Sequence, residues 1–240
     1  MLSEMVHQEI LCAIFDLSFS LPRISKSRVE MSPRANLIRF DGLVFAKSCV
    51  GMGSENFSKV KKLRFGHQDT RKNLPSSQKR GESNFLAKFE RVFSAAEVSK
   101  LETVKLASGR EFSVEGFGRA DVVFVAWKEA KEGEDFKALA LKSLKLTAFE
   151  AKLKDWRKGL VQASRYKHFA NRSILVLPTE TAMVAKEYVQ TFRELQIGLW
   201  EFDTQNQRIV RHTTPRARKA KNSKAREKAI HLLQKKLKFG

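Results

Sequence analysis

Two apolar segments of strand length, each interrupted by an acid, constrain this chain more than any other feature. The first covers residues 118–125 and carries Asp121, and the second covers 146–153 and carries Glu150. Buried strands are normally aliphatic, because burying an unpaired carboxylate costs several kcal/mol. Both acids therefore need a partner, which can be a cation, a metal ion or a hydrogen-bond network.

Strand geometry predicts where these charges lie. Side chains alternate between the two faces of a strand, so Glu150 and Lys152 point to the same face. If the strand with Asp121 pairs with this one, three charged groups meet at one place. Two carboxylates and the main-chain carbonyl of Ala151 make a set of hard oxygen ligands suited to Mg²⁺ or Mn²⁺, and Lys152 could orient or activate a water. The alternative is a Glu150–Lys152 ion pair on a half-exposed strand, with Asp121 ending a turn.

The order of these residues along the chain resembles a known pattern. Asp121 is followed by Glu150-Ala151-Lys152 and then by a predicted helix with Gln162 and Tyr166 four residues apart. This arrangement resembles the PD-(D/E)xK nuclease superfamily, which has the restriction-endonuclease-like fold. The resemblance covers roughly residues 111–203.

The resemblance implies a role for each of these positions. Asp121 and Glu150 match the acids that hold the metal ion in that superfamily, and Lys152 matches its catalytic lysine. Gln162 and Tyr166 match residues on the helix that packs beside the site.

The chain departs from the superfamily pattern at two points. Ala120 rather than proline precedes Asp121. The acid that the first helix of the fold often supplies has no unambiguous match, and the candidates are Glu9 and Glu90.

Hydrophobic periodicity predicts an α/β fold in which a central mixed sheet is flanked by helices. The predicted strands are 111–115, 122–127, 146–153, 173–177 and 197–202, and the predicted helices are 84–101, 156–170 and 181–196. A Rossmann fold is excluded, because Gly116-Phe117-Gly118 lacks a third glycine and precedes a strand.

We divide the chain into three parts. Residues 1–84 form an N-terminal extension, 85–203 the nuclease-like core and 204–240 a basic tail. The extension is predicted to hold an amphipathic helix over 3–17, a hairpin over 37–45 and a polar linker over 66–84. Within the tail, 216–226 is predicted to be a flexible arm and 224–237 a short helix.

The formal net charge of +20 predicts a polyanionic partner. Residues 204–240 hold twelve Lys or Arg against one acid, Glu227, a net of +11. Nucleic acid is the preferred partner, DNA above RNA, and a solubilising tail is the alternative. The candidate nucleic-acid contacts are Trp156, Arg157, Gln162, Arg165, Tyr166, Arg216, Arg218 and Lys219.

Cysteine and histidine usage argues against several classes of site. Cys12 and Cys49 lack metal-ligand spacing, and the five histidines suggest neither a zinc site nor a triad. The first residues lack the pattern of a signal peptide, so we expect a cytoplasmic protein without membrane insertion.

These observations predict a metal-dependent nuclease that hydrolyses DNA phosphodiester bonds. One alternative is a non-catalytic nucleic-acid-binding protein that retains the nuclease fold. Another is a basic accessory protein of a ribosome or a membrane surface.

Overall fold

The computed structural model describes residues 60–65, 76–98, 104–128 and 143–237, and the side chains from residue 80 of the second range onward. The predicted helix 3–17, the hairpin 37–45 and the candidate Glu9 lie outside the described residues. The predicted linker 66–84 overlaps them only from residue 76, where a helix begins, so that part of the linker prediction is wrong.

The described residues form one mixed sheet of seven strands, arranged in chain order. The strands are β1 (Val60–Arg64), β2 (Lys105–Val114), β3 (Gly118–Trp127), β4 (Lys145–Ala151), β5 (Arg172–Leu177), β6 (Gly198–Asp203) and β7 (Arg208–Thr213). The pairs β1–β2, β4–β5 and β5–β6 are parallel, and the pairs β2–β3, β3–β4 and β6–β7 are antiparallel. The predicted α/β class with a mixed sheet is confirmed.

Helices cover both faces of the sheet. They are α1 (Ser76–Val98), α2 (Trp156–Tyr166), α3 (Thr179–Lys186), α4 (Val189–Glu194) and α5 (Ser223–Leu237). Parallel strands require a crossover, and α2 connects β4 to β5 while α3 and α4 connect β5 to β6. None of the helices in the described ranges combines the length and the apolar character that a membrane crossing needs.

One face of the sheet packs against α1 through aromatic side chains. Phe89 and Phe93 of α1 lie 5.3 and 5.0 Å, centroid to centroid, from Phe149 of β4. Val122 of β3 and Phe202 of β6 belong to the same buried cluster. The alternation of strand side chains gives this face the odd positions of β4 and leaves its even positions, including Glu150, on the opposite face.

The opposite face packs against α2 to α5. Leu160 and Ala163 of α2 are fully buried against Leu175 of β5 and Leu199 of β6. Apolar runs in β3, β4 and β5 are thus covered on both sides, as their near-continuous hydrophobic sequence predicts.

The C-terminal segment is part of this core. α5 confirms the predicted helix 224–237, and its apolar side chains pack on the sheet. The buried members of α5 are Ala225, Ala229, Ile230, Leu233 and Leu237. Basic residues occupy the intervening positions, which made the whole segment resemble a solvated arm.

Candidate active site

The predicted site lies where strands β3 and β4 stop pairing. Their antiparallel ladder ends at Val122↔Phe149, so Asp121 and Glu150 would be the next pair. The Oδ2 atom of Asp121 instead accepts a hydrogen bond from the backbone N–H of Ala151 at 2.9 Å. The side chain of Asp121 therefore satisfies the β4 backbone at the point where the neighbouring strand no longer does.

Glu150 is buried, with 1% of its surface exposed, and its carboxylate takes part in an ion pair through Oε1 and in a hydrogen bond through Oε2. Lys152 Nζ lies 2.7 Å from Oε1, and the hydroxyl of Tyr166 lies 2.5 Å from Oε2. The same hydroxyl lies 2.6 Å from the carbonyl oxygen of Arg119. Because a hydroxyl has a single proton, a protonated Glu150 would donate to Tyr166 while Tyr166 donates to Arg119.

Two acids and one cation lie close together in this buried site, and burial and charge together shift the pKa values of Glu150 and Lys152. Burial, followed by the charge of Asp121, raises the pKa of Glu150 to about 8, although Lys152 and Tyr166 act in the opposite direction. Burial lowers the pKa of Lys152, but Glu150 and Asp121 outweigh it, so the net shift is upward. Lys152 is therefore a proton donor and a positive charge in this state, and Glu150 is readily protonated.

Helix α2 packs closely against this cluster. The carboxylate of Asp155 caps its first turn by accepting from the N–H of Lys158 at 3.0 Å. A Cβ at Gly159 would lie 2.6 Å from Leu175 Cδ1 and 2.8 Å from Lys152 Cγ. Only glycine allows this approach, so Gly159 sets how closely the helix holds the stem of Lys152.

Gln162 lies one helical turn before Tyr166, on the same helix that contacts Glu150. Its Oε1 atom is buried and has no hydrogen-bond partner among the described residues. Gln162 thus lies on the helix that reaches Glu150 through Tyr166, and its role at the site stays a prediction.

Two acids that the sequence reasoning missed lie next to Asp121. Glu82 of α1 and Glu111 of β2 line a cavity of about 40 Å³ together with Asp121 and Ala151. Glu82 fell within the predicted linker and so was not considered. Phe85, Phe89 and Phe93 have helical spacing, and a helix extended by one turn before Phe85 would have included Glu82.

Glu111 stands out by its backbone. It lies between the pairs Arg110↔Val122 and Phe112↔Ala120, opposite Asp121, and has a φ of 56°. A left-handed conformation at a residue other than glycine costs of the order of 1–3 kcal/mol and is concentrated at functional sites. Its carboxylate pairs with Arg119 Nε at 2.9 Å. No sequence signal predicts this φ.

Glu90, the second candidate for the first-helix acid, does not line this cavity. It accepts from Lys62 at 2.6 Å, Ser108 at 2.8 Å and Arg110 at 2.7 Å. Burial would raise the pKa of Glu90, but these hydrogen bonds outweigh it and the net shift is downward. Glu90 ties α1 to β1 and β2, and Glu82 is the acid of α1 that lies beside Asp121.

The predicted nucleic-acid contacts divide into three groups. Trp156 and Tyr166 are 3% and 1% exposed, so the prediction that they touch nucleic acid is wrong. Arg157 and Arg165 are exposed on α2, and the guanidinium of Arg157 lies 4.5 Å from the ring centroid of Trp156. The remaining cations, Arg216, Arg218 and Lys219, are also exposed but lie near the start of β5, at the other end of the strands, and the eighth candidate, Gln162, is half-buried on α2.

The donor set at this site suits a hard divalent cation in chemical type. Asp121 and Glu150 supply carboxylates and Ala151 a carbonyl, and the mutual repulsion of the two acids contributes to the raised pKa of Glu150. In the arrangement described, Glu150 is bonded to Lys152 and Tyr166 instead. Across residues 60–65, 76–98, 104–128 and 143–237, no group of three or more His, Cys, Asp or Glu is placed to ligate a metal.

Comparison of the chain with protein-family models, with curated proteins and with solved structures finds no match.

Proposed function

We propose that this protein is a metal-dependent nuclease with a restriction-endonuclease-like fold that hydrolyses DNA phosphodiester bonds. The observation that carries the proposal is the convergence of Asp121, Glu150 and Lys152 at the diverging ends of β3 and β4, with Tyr166 of α2 on the same carboxylate. Asp121, Glu150 and the Ala151 carbonyl would hold Mg²⁺ or Mn²⁺. Such an ion, when bound, supplies Lewis acidity and lowers the pKa of its water.

Each protein group then has a defined task. Lys152 keeps its proton, since its pKa is raised, and donates to a phosphate oxygen or to the attacking water. Tyr166 orients Glu150 through the hydrogen bond to Oε2, and its own pKa is raised by burial and by the neighbouring acids. Arg165 and Arg119, on the rim of the site, would contact the strand backbone, since phosphate contacts position the nucleic acid.

One observation favours a second candidate function, a non-catalytic nucleic-acid-binding protein. Both oxygens of Glu150 are occupied by Lys152 and Tyr166, and a buried pair of this kind serves equally well as a structural element. In that case the net charge of +20 would account for binding without any cleavage.

Cleavage assays separate the two functions. Plasmid, single-stranded DNA and RNA would be incubated with the protein with and without Mg²⁺ or Mn²⁺. For a nuclease, Glu150→Gln should lower the cleavage rate by about 100-fold or more, because several kcal/mol of charge stabilisation is lost. DNA binding should be unchanged or tighter. Lys152→Ala should abolish cleavage while metal binding remains.

The matched control is Glu227→Gln, which removes one negative charge from the exposed side of α5. It should leave cleavage unchanged. Binding of nucleic acid by the wild type with no divalent-dependent cleavage of any substrate, and no shift of the thermal midpoint by Mg²⁺ or Mn²⁺, would select the non-catalytic function.

A further inference from the structure

A second charged site lies at the opposite end of strand β5 from the carboxylates. A cavity of about 230 Å³ is lined by six cationic side chains and by no Asp or Glu among its described lining. We call it the basic pocket, and its cations are Lys167, Arg172, Arg216, Arg218, Lys219 and Lys221. Such a set of like charges destabilises the folded state unless an anion offsets it.

The backbone that carries these cations is fixed. The N–H of Arg218 donates to the carbonyl of Asn171 at 3.0 Å, and the N–H of Lys221 donates to the carbonyl of Lys167 at 2.9 Å. The side chain of Asn171 adds a second hydrogen bond to Arg218, because its Nδ2 donates to the carbonyl of Arg218 at 3.0 Å. The predicted flexible arm over 216–226 is therefore wrong for this part, and the backbone that carries the cations is held in place before any ligand arrives.

Two of the cations are also oriented by side-chain contacts. Lys167 Nζ donates to the carbonyl of Leu195 at 2.6 Å. With its amide turned to satisfy both partners, Gln196 accepts from the two terminal nitrogens of Arg218 at 2.9 and 3.2 Å. Gln196 does so from a left-handed conformation with φ of 54°, where glycine or asparagine is the usual residue. This unfavourable backbone conformation therefore occurs at a residue that lines the basic pocket.

Lys167 shows the effect of this crowding. Burial, followed by the charge of Lys221, lowers the pKa of Lys167 to about 8. His168, the next residue, has its pKa lowered by burial and by the same two lysines. The charge of Lys221 thus lies close enough to weaken the ionisation of Lys167 and His168.

We propose that the basic pocket is a binding site for a dianionic phosphate group, of the kind found on a phosphate monoester. Phosphate offers several oxygens to the planar fork of arginine and to lysine ammonium groups. The cavity volume of about 230 Å³ equals roughly eight waters at about 30 Å³ each. It holds a phosphate and part of an ester, and it has no room for a duplex. The site shares no residue with the carboxylates and does not depend on the nuclease proposal.

The first test is the thermal midpoint of the full chain in inorganic phosphate and in chloride at equal ionic strength, with chelator present. Phosphate should raise the midpoint of the wild type, because a ligand of the folded state stabilises it. The pocket variant is Lys219→Gln with Lys221→Gln. The control is Lys235→Gln with Lys236→Gln, which has the same net charge and lies on the exposed side of α5.

The pocket variant should lose the phosphate shift, and the control should keep it. Affinity for phosphate, measured by calorimetry, should fall about tenfold or more for each cation removed, since each removal loses a charge-assisted hydrogen bond to the phosphate. Should the double variant fail to fold, Lys219→Gln alone serves, because this side chain is exposed. Equal phosphate responses of pocket and control variants would overturn the proposal.

The source of the phosphate is distinguished with two oligonucleotides of one sequence, bearing a 5′-phosphate or a 5′-hydroxyl. Tighter binding of the phosphorylated strand, removed by inorganic phosphate and by the pocket variant, assigns the site to a nucleic-acid end. A pocket-dependent response to inorganic phosphate without that preference assigns it to a small phosphate compound. Because the chelator prevents metal-dependent cleavage, both binding results can be interpreted whether or not the protein is a nuclease.

Discussion

The two ends of the central strands gather charges of opposite sign and neutralise them differently. The site of Asp121 and Glu150 lies at the end of the seven-residue strand β4, and the basic pocket lies near the start of the parallel strand β5, about 20 Å away by strand length. Each end moves a buried group toward its neutral form, Glu150 upward and Lys167 downward, both to a pKa of about 8.

The difference lies in the internal counter-charge. The carboxylate end has Lys152 at 2.7 Å from Glu150, whereas the described lining of the basic pocket has no acid. At the first end Lys152 partly offsets the charge of ionised Glu150, and a metal ion of the proposed kind would have to compete with Lys152 for this carboxylate. The second end is completed only by an anion from solution.

The largest expected effect comes from deleting the residues after Thr213. The deletion removes four cations of the basic pocket together with α5, whose buried side chains belong to the main core. We expect loss of cooperative unfolding in urea, because burial of a single Leu or Ile contributes about 1.5–3 kcal/mol. A truncated protein that still unfolds cooperatively and keeps the response to Mg²⁺ would show that the two ends are separable.

Removing one cation from each end should have opposite consequences for stability. Lys152→Met leaves the ionised form of Glu150 without its counter-charge, so it should lower the free energy of unfolding by an amount that is small at pH 8 and grows toward about 3 kcal/mol as pH rises above 8. Lys221→Met relieves repulsion on Lys167 and should leave it unchanged or raise it by up to about 1 kcal/mol. Urea denaturation of both variants measures this, and a similar loss in the two would remove the distinction between the ends.

The pH dependence of stability should also have opposite signs. The folded state raises the pKa of Glu150 above the ordinary value of 4.5, so its contribution is present below pH 4.5 and is lost as pH rises through about 8. The slope is at most about 1.4 kcal/mol per pH unit. Lys167, with a folded pKa lowered to about 8, gives stability that rises between pH 8 and its ordinary 10.5.

Glu150→Gln measures the first contribution. From pH 5 to pH 8, the free energy of unfolding of the wild type should fall relative to that of Glu150→Gln. Above pH 8, Lys167→Met should flatten the rise of the free energy of unfolding with pH. A difference for Glu150→Gln that stays constant with pH would mean that Glu150 is ionised throughout.

The smallest effect is expected at two helical glycines. Gly159→Ala forces a methyl group to within 2.6 Å of Leu175 and 2.8 Å of Lys152, so overpacking of about 1–3 kcal/mol should outweigh the helical preference for alanine. Gly81→Ala meets only the end of Leu153, at 3.2 Å, and should be neutral or stabilising by up to about 1 kcal/mol. Thermal midpoints compare the two, and equal shifts would mean that α2 does not hold Lys152 closely.

Sequence patterns predicted the central part of the fold because its strands are continuous apolar runs. β3, β5 and β6 lie where hydrophobicity placed them, and the even spacing of Glu150 and Lys152 brought both to one face. The predicted helix 181–196 is two helices, α3 and α4, since the chain turns at Glu187 and Tyr188. The edge strands β1 and β7 were missed because each has only two apolar residues among its cations and so lacks a continuous apolar run.

The missed parts of the site depend on contacts between distant segments. Glu82 reaches Asp121 through the docking of α1, and Glu111 through a left-handed residue inside β2. The basic pocket depends on backbone hydrogen bonds between the loop after α2 and residues 218–222. Neither periodicity nor charge counts carry this information.

The buried guanidinium of Arg226 has a consequence for how the chain reaches its fold. Its nitrogens donate to the carbonyls of Phe169 at 3.0 Å and Leu144 at 2.6 Å, and burial lowers its pKa to about 10. These contacts join residues 57 and 82 positions apart, and Lys61 bonds the carbonyl of Leu237 across 176 positions. Folding rates fall as such separations grow, and domains emerge from the ribosome starting at the N-terminus. The central strands are therefore synthesised well before α5 can cover them. The sheet face that packs against α5 stays exposed in the nascent chain until residue 237 has left the ribosome.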